Sequence, residues 1–371
     1  MKHIIGANLT STVPQSQTLT VDEDSAGQRL DNFLMRQLKG VPKTHVYRII
    51  RSGEVRINKG RVAADTRIAA GDLVRLPPVR ASERAEEKAQ AMAALSAKAA
   101  KAASSGQGGS AATSAGGFAP AKDFPILFED DSFLAINKPA GVAVHGGSGV
   151  SFGVIEQLRQ ARPTAKFLEL VHRLDRETSG ILLLAKKRSA LVELHRQIRE
   201  GQTDKRYYLL AHGEIVQGAQ VMQLKYPLHK YLLANGERRV RVDPEGLPSH
   251  TALRVTKILK REDAAITLAE AQLKTGRTHQ IRVHLESLGF PILGDPVYRK
   301  KAPGPAKTLP FTRQALHAYA LTLEHPAKNE LMTWFALPPI DLMELMLHIG
   351  INAQDLPKQE ALLASIQNER R

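Results

Sequence analysis

Apolar side chains at Leu30, Phe33, Leu34 and Leu38 recur at the three- and four-residue spacing of one helix face, with Arg36 between them and Lys39 just after. Gly40-Val41-Pro42 breaks that pattern, and Val46, Ile49 and Ile50 restart it until Gly53. Val55 and Ile57 then alternate as a strand. Asn58-Lys59-Gly60 predicts a tight turn, and Leu73-Val74-Arg75-Leu76 predicts a closing strand. Between Ala81 and Pro120 the periodicity disappears: fifteen of forty residues are Ala, and residues 104–117 are a Gly/Ser tract. Such a stretch cannot bury a core and predicts a linker.

The pattern resumes near Phe124. Ile126–Phe128 and Phe133–Ile136 predict paired strands around Glu129-Asp130-Asp131-Ser132. Further strands are expected at Ile181–Ala185, Tyr207–Ala211, Leu253–Ile258 and Ala264–Leu273. Helical spacing appears at Leu191, Leu194 and Ile198, and at Ile281, Leu285 and Leu288, where Gly289 ends it. Strands outnumber helices without regular alternation, so the expected class is α/β of the α+β kind, with a mixed sheet. The division predicted is a flexible polar N-terminus (1–26), a small α/β module (27–80), a linker (81–122), a large domain (123–347) and a C-terminal tail (348–371). Ile340 to Arg371 reads as one or two amphipathic helices.

Charge sharpens this picture. The chain has 371 residues and a formal net charge of +15. Residues 27–80 hold twelve Lys or Arg against four Asp or Glu. Lys43, Arg48, Arg51, Arg56, Lys59 and Arg61 are spread over helix, turn and strand, which predicts one basic face for a polyanion. The stretch DNFLMRQLKGVPKTHVYRIIRSGEVRINKGRV resembles the S4-type RNA-binding domain, in which the helix pair carries RNA-facing side chains. Cysteine is absent, which excludes thiolate catalysis, disulfides and Cys-ligated metal. The N-terminal residues have no apolar run of signal-peptide length and no stretch approaches a membrane span, so a cytoplasmic protein is expected.

The chemistry concentrates in Val171-His172-Arg173-Leu174-Asp175-Arg176-Glu177-Thr178-Ser179-Gly180. This stretch separates the apolar run Phe167–Val171 from the apolar strand Ile181–Ala185, and so reads as a loop at a sheet end. The flanking Arg173 and Arg176 favour a carboxylate at Asp175. Spacing alone favours the plainer reading, a surface salt-bridge loop.

HRLDRETSG, beginning at His172, resembles the defining motif of the RluA branch of pseudouridine synthases. Three more stretches match in order: Asn137-Lys138-Pro139-Ala140-Gly141, Lys205-Arg206-Tyr207, and Thr275-Gly276-Arg277-Thr278-His279-Gln280-Ile281-Arg282, continued by Gly289–Tyr298. The resemblance implies the pseudouridine synthase fold, a mixed sheet framing a basic cleft. It implies isomerisation of uridine to pseudouridine in RNA without a cofactor or metal. By the same resemblance Asp175 is the catalytic aspartate, which either adds to C1′ or removes a ribose proton to give a glycal. Tyr207 would be the active-site tyrosine that stacks on the base, and Arg282 the basic partner of Asp175. Arg173 would fill the space of a flipped base. Arg277 and His279 are assigned to RNA backbone contacts or loop structure, and His172 and His284 to structure. An S4-type domain on this branch implies 23S ribosomal RNA, as precursor or naked RNA, with the C-type subgroup fitting better than the D-type. A monomer is expected, with no membrane partner. The competing readings are a non-catalytic RNA-binding assembly factor and a hydrolase that pairs Asp175 with Glu177.

Overall fold

A computed structural model describes residues 16–22, 25–38, 41–78, 124–146, 152–216, 221–234, 236–260, 265–299, 309, 311–356 and 358–369. The linker expected at 81–122 lies outside the described residues. The chain divides into two compact units, Met1–Gly117 and Phe118–Arg371.

In the first unit, helices α1 (Leu30–Gln37) and α2 (Lys43–Arg51) pack on a four-stranded sheet of order β1-β4-β2-β3. Its strands are β1 (Gln17–Thr20), β2 (Arg56–Ile57), β3 (Gly60–Arg61) and β4 (Leu73–Leu76). Leu30, Phe33, Leu34, Val46, Ile49, Ile50, Val55 and Val74 form the core, which accounts for their spacing. Asn58 and Lys59 both take positive φ, 49° and 68°, the backbone of a two-residue hairpin turn. Residues 1–15 lie outside the described residues, but for residues 17–21 the expectation of a flexible N-terminus is corrected. Gln17–Thr20 pairs with Leu73–Leu76, and Val21 is buried in the core. The polar strand Gln-Thr-Leu-Thr hid this role because an edge strand needs few apolar positions.

The second unit is built on a mixed ten-stranded sheet of order β10-β13-β14-β9-β15-β8-β6-β5, with β16 on β15 and β7 on β8. Its strands before the midpoint are β5 (Ile126–Glu129), β6 (Phe133–Lys138), β7 (Glu169–Leu170), β8 (Ser179–Ala185) and β9 (Asp204–His212). They are followed by β10 (Met222–Leu224), β13 (Thr251–Lys260), β14 (Ala265–Leu273), β15 (Leu316–Glu324) and β16 (Leu331–Phe335). A separate hairpin, β11 (Leu228–Leu232) with β12 (Arg238–Val242), stands off this sheet. The helices are α3 (Val154–Ala161), α4 (Arg188–Arg199), α5 (Gln280–Ser287), α6 (Ile340–His348) and α7 (Gln359–Glu369).

Both sheet faces are covered. Along β8, Leu182 and Leu184 enter one core, while Ile181, Leu183 and Ala185 enter the other. That is why Ile181–Ala185 reads as a continuous apolar run rather than an alternating one. The β8–β15 pairing is parallel, His317 opposite Ser179 and Ala318 opposite Gly180, while every other pairing described is antiparallel. The expected boundary at 347 is also corrected. Ile349 and Ile351 belong to the main core, and Leu362 packs with Tyr208 and Tyr319 on the opposite face.

A carboxylate held by one arginine beside a buried tyrosine

Three separate stretches meet at the ends of β8, β9 and β14. The loop before β8 carries Asp175, β9 carries Tyr207, and the turn after β14 leads through His279 into α5, whose third residue is Arg282. Arg282 is 4% exposed, not the exposed helix charge that periodicity allows. Its Nη1 donates to Asp175 Oδ2 at 2.9 Å, while Nε and Nη2 grip Asp295 Oδ2 and Oδ1 at 2.7 and 2.9 Å. Asp295 is 1% exposed and also accepts the backbone N–H groups of Val297 and Tyr298. Such a fork fixes the guanidinium in its plane, so the third nitrogen can meet Asp175 in one orientation. The two carboxylates raise the affinity of Arg282 for its proton against burial, which pulls the other way.

Tyr207 is 7% exposed and lies between Ala271 on β14 and Ala318 on β15. Small neighbours on both strands leave room beside its ring. Burial, and then the charge of Asp175, push its hydroxyl above the ordinary tyrosine range. At neutral pH it is a phenol that can stack and donate, not a phenolate. A cavity of about 280 Å³ is lined by Arg173, Asp175, Tyr207, Leu273, Arg277, His279 and Leu316, among others. A second cavity shares Asp175, Arg173, His279 and Arg282 and extends to His145 and Val297. Arg173 is exposed at this rim. Arg277 Nε donates to Pro248 O at 3.1 Å.

The other motif residues hold this geometry. Gln280 accepts from Thr275 Oγ1 and the Arg277 N–H, and donates to His250 O and Thr251 Oγ1. It knots the turn after β14. His172 accepts the Leu183 N–H, and His284 is bonded to Ser249, Thr251 and Tyr226 O. Both are built into the framework, as expected. Glu177 pairs with its neighbour Arg176 at 3.4 Å.

Sequence reasoning gave no role to Lys138, Lys205, Asp295 or Tyr298. Lys138 Nζ is buried at the end of β6 and donates to the carbonyls of Pro139, Val142 and Arg176 at 2.7–3.1 Å. It ties the 139–142 turn to the Asp175 loop. Burial pulls Lys138 down to about 7; only an ammonium can donate to all three carbonyls, so they oppose that pull. Lys205 lines the first cavity, and burial lowers it to about 8. Their motif positions were a signal, but only the fold reveals what they touch.

In the first unit, Lys43, Arg48, Arg51, Arg56, Lys59 and Arg61 are all exposed. Arg56 lies opposite Arg61 on β3 and opposite Arg75 on β4. Three arginines therefore form a row across adjacent strands, and Arg75 is a member that linear spacing did not select. Directly opposed like charges destabilise a sheet, so the row favours a polyanionic partner.

A family model described as RNA pseudouridylate synthase matches residues 132–287, and one described as S4 domain matches residues 28–74. The chain is 48% identical over 313 residues to ribosomal large subunit pseudouridine synthase C of Pasteurella multocida (strain Pm70), covering 84% of this chain and 87% of the relative. It is 46% identical over 327 residues to the protein of the same name from Escherichia coli (strain K12), covering 87% and 93%. The solved structure of human RNA pseudouridylate synthase domain containing 4 matches with a TM-score of 0.50 at 26% identity, covering 63% of this chain and 95% of that one. Motifs, fold and relatives agree: the chain belongs to the RNA pseudouridylate synthase family, isomerases of uridine in RNA, and carries an S4 domain ahead of the synthase domain.

Proposed function

We propose that this chain converts several uridines of 23S ribosomal RNA to pseudouridine, with Asp175 as the catalytic carboxylate. The observation that carries the reading is the Asp175–Arg282 pair beside Tyr207 in one cavity. The names of the relatives at 46–48% identity support large-subunit ribosomal RNA, of the C type rather than the D type. The target nucleotide flips out of its stack, because the C1′–N1 bond is otherwise out of reach. Its base enters the cavity against Tyr207, and Arg173 fills the gap left in the RNA. Cleavage of C1′–N1 leaves uracil bound. Asp175 holds the sugar as an ester at C1′ or takes a C2′ proton to form the glycal. The base turns and C5 bonds to C1′ as the ester is displaced or the glycal regains its C2′ proton. The C5 proton is then lost with Tyr207 alongside, and N1 takes up a proton in its place. Base and sugar are rejoined with no redox change and no group lost, so no cofactor is required.

The first unit grips flanking RNA with Lys43, Arg48, Arg51, Arg56, Lys59 and Arg61, and Arg277 contacts the backbone near the cleft. The 81–122 segment links the two units, so RNA held by the first is available to the second at raised effective concentration. The chain works as a monomer in the cytoplasm, on precursor or naked RNA.

The test is nucleotide-resolution pseudouridine mapping of unmodified 23S RNA treated with wild type or Asp175→Asn. New pseudouridines with wild type alone are expected, and their positions separate C-type from D-type specificity. Equal modification by both proteins would remove Asp175 from its role. Modification by neither, on naked RNA and precursor subunits alike, would point to a non-catalytic RNA-binding factor.

A further inference from the structure

His279 stands at the entrance of α5 with φ 54° and ψ 21°, the left-handed region. For a residue other than glycine this costs on the order of 1–2 kcal/mol. It persists only where surrounding contacts over-determine it, and the contacts here are specific. His279 Nδ1 lies 2.8 Å from Tyr298 Oη, and Nε2 lies 3.7 Å from Asp175 Oδ1. Tyr298 Oη in turn accepts the backbone N–H of Val240, on β12 of the hairpin, at 3.0 Å. The Tyr298 ring lies under Arg282, with the guanidinium carbon 4.9 Å from the ring centre.

Hydrogen-bond accounting fixes the proton. Tyr298 is 7% exposed, and its one hydroxyl hydrogen needs an acceptor. Val240 is a donor, so His279 Nδ1 is the acceptor among the described residues. A histidine that accepts at Nδ1 and is neutral carries its hydrogen at Nε2. Burial lowers its affinity for a second proton.

We propose that His279 is a positioning residue for the catalytic carboxylate, held by Tyr298 as the neutral imidazole that aims Nε2–H at Asp175 Oδ1. This rests on the assignment of Asp175 above. Arg282 already pairs with Oδ2, so the two donors bracket the carboxylate from both oxygens. At 3.7 Å the His279 donor stands just beyond hydrogen-bond length, the kind of gap that closes when substrate fills a site. The chain of contacts also places the backbone of the β11–β12 hairpin one residue from the group that orients Asp175.

Two measurements test it. A glutamine amide nitrogen superposes on Nε2, whereas an asparagine amide nitrogen superposes on Nδ1. Backbone preference alone favours His279→Asn, since Asn tolerates the left-handed region better. The inference requires the reverse order. His279→Gln should retain single-turnover rate within a few-fold, and His279→Asn should lose roughly 10- to 100-fold, the worth of a hydrogen bond to a charged group. RNA affinity should change little in both. Long-range 1H–15N correlation spectra of histidine-labelled wild type should show His279 as the Nε2–H tautomer, and Tyr298→Phe should lose that preference while keeping the ring over Arg282. A dominant Nδ1–H tautomer in wild type, or an Asn variant as fast as Gln, would overturn the inference. The spectrum needs no variant to fold. Asp175→Asn run alongside separates the two failures: if it turns over RNA, the assignment of Asp175 itself is wrong.

Discussion

Arg282 answers to two carboxylates with three nitrogens, and nothing shorter or rounder than a guanidinium does so. Arg282→Lys should lose about 100-fold or more in single-turnover rate, because one ammonium cannot hold Asp295 bidentately and still reach Asp175. It should also lose about 2–4 kcal/mol of stability by leaving a buried charge short of a partner. Single-turnover kinetics and urea denaturation check the two effects separately, and a variant at wild-type rate would show that the fork is dispensable. A second buried group sets a pH limit. His317 is fully buried, accepts from Ser179 Oγ at Nδ1 and donates from Nε2 to Ala336 O. Burial pulls it down to about 4. Unfolded, it titrates near 6.5. Its contribution is therefore present in full above pH 6.5. Below that, the unfolded chain takes up a proton that the folded chain refuses, and stability falls by up to about 1.4 kcal/mol per pH unit until near pH 4. Urea denaturation at pH 7 and pH 5 should show a smaller difference for His317→Gln than for wild type; equal differences would count against this source.

At the scale of elements, the parallel contact between β8 and β15 decides where the Asp175 loop sits. Gly180 makes that contact possible: its φ is +116°, and a Cβ there would lie 2.2 Å from Ala318 O. Gly180→Ala should therefore cost more than a surface change, about 3 kcal/mol or above, with loss of activity in step. Denaturation midpoints at constant m-value check it, and a midpoint near wild type would mean that β15 can yield. The S–G ending of HRLDRETSG was visible in the sequence, but its partner lies 138 residues away and has no motif. The same contrast runs through the fold. Helices α1, α2, α4 and α5 and strands β5, β6, β8, β9 and β14 were legible because their periodicity is strong and local. Strand β15 was not, because its Leu-His-Ala-Tyr-Ala-Leu-Thr-Leu-Glu run mixes polar residues that are satisfied only by distant partners. In the site, Asp175, Tyr207 and Arg282 were readable through their motifs. Asp295 and Tyr298 lie inside the Gly289–Tyr298 motif stretch, yet only contacts in space disclose their tasks.

At the scale of the whole molecule, charge and chemistry are divided between two units. Replacing Arg56, Arg61 and Arg75 together by Gln should flatten the salt dependence of RNA binding, each lost phosphate contact removing about 0.7–0.9 from the log–log slope. Single-turnover rate at saturating RNA should stay near wild type. Filter binding across a salt series checks the slope, and an unchanged slope would detach this row from the RNA. The strand order has a consequence for how the protein is made. Strand β15 lies between β8 and β9, yet it leaves the ribosome after both. Translation at about 5–20 residues per second puts roughly 5–20 s between the end of β9 and the start of β15. For that interval the two apolar strands have no central neighbour, and each offers an open edge to other chains. The small first unit can fold in the meantime, but the sheet that carries Asp175 closes only after β15 has emerged.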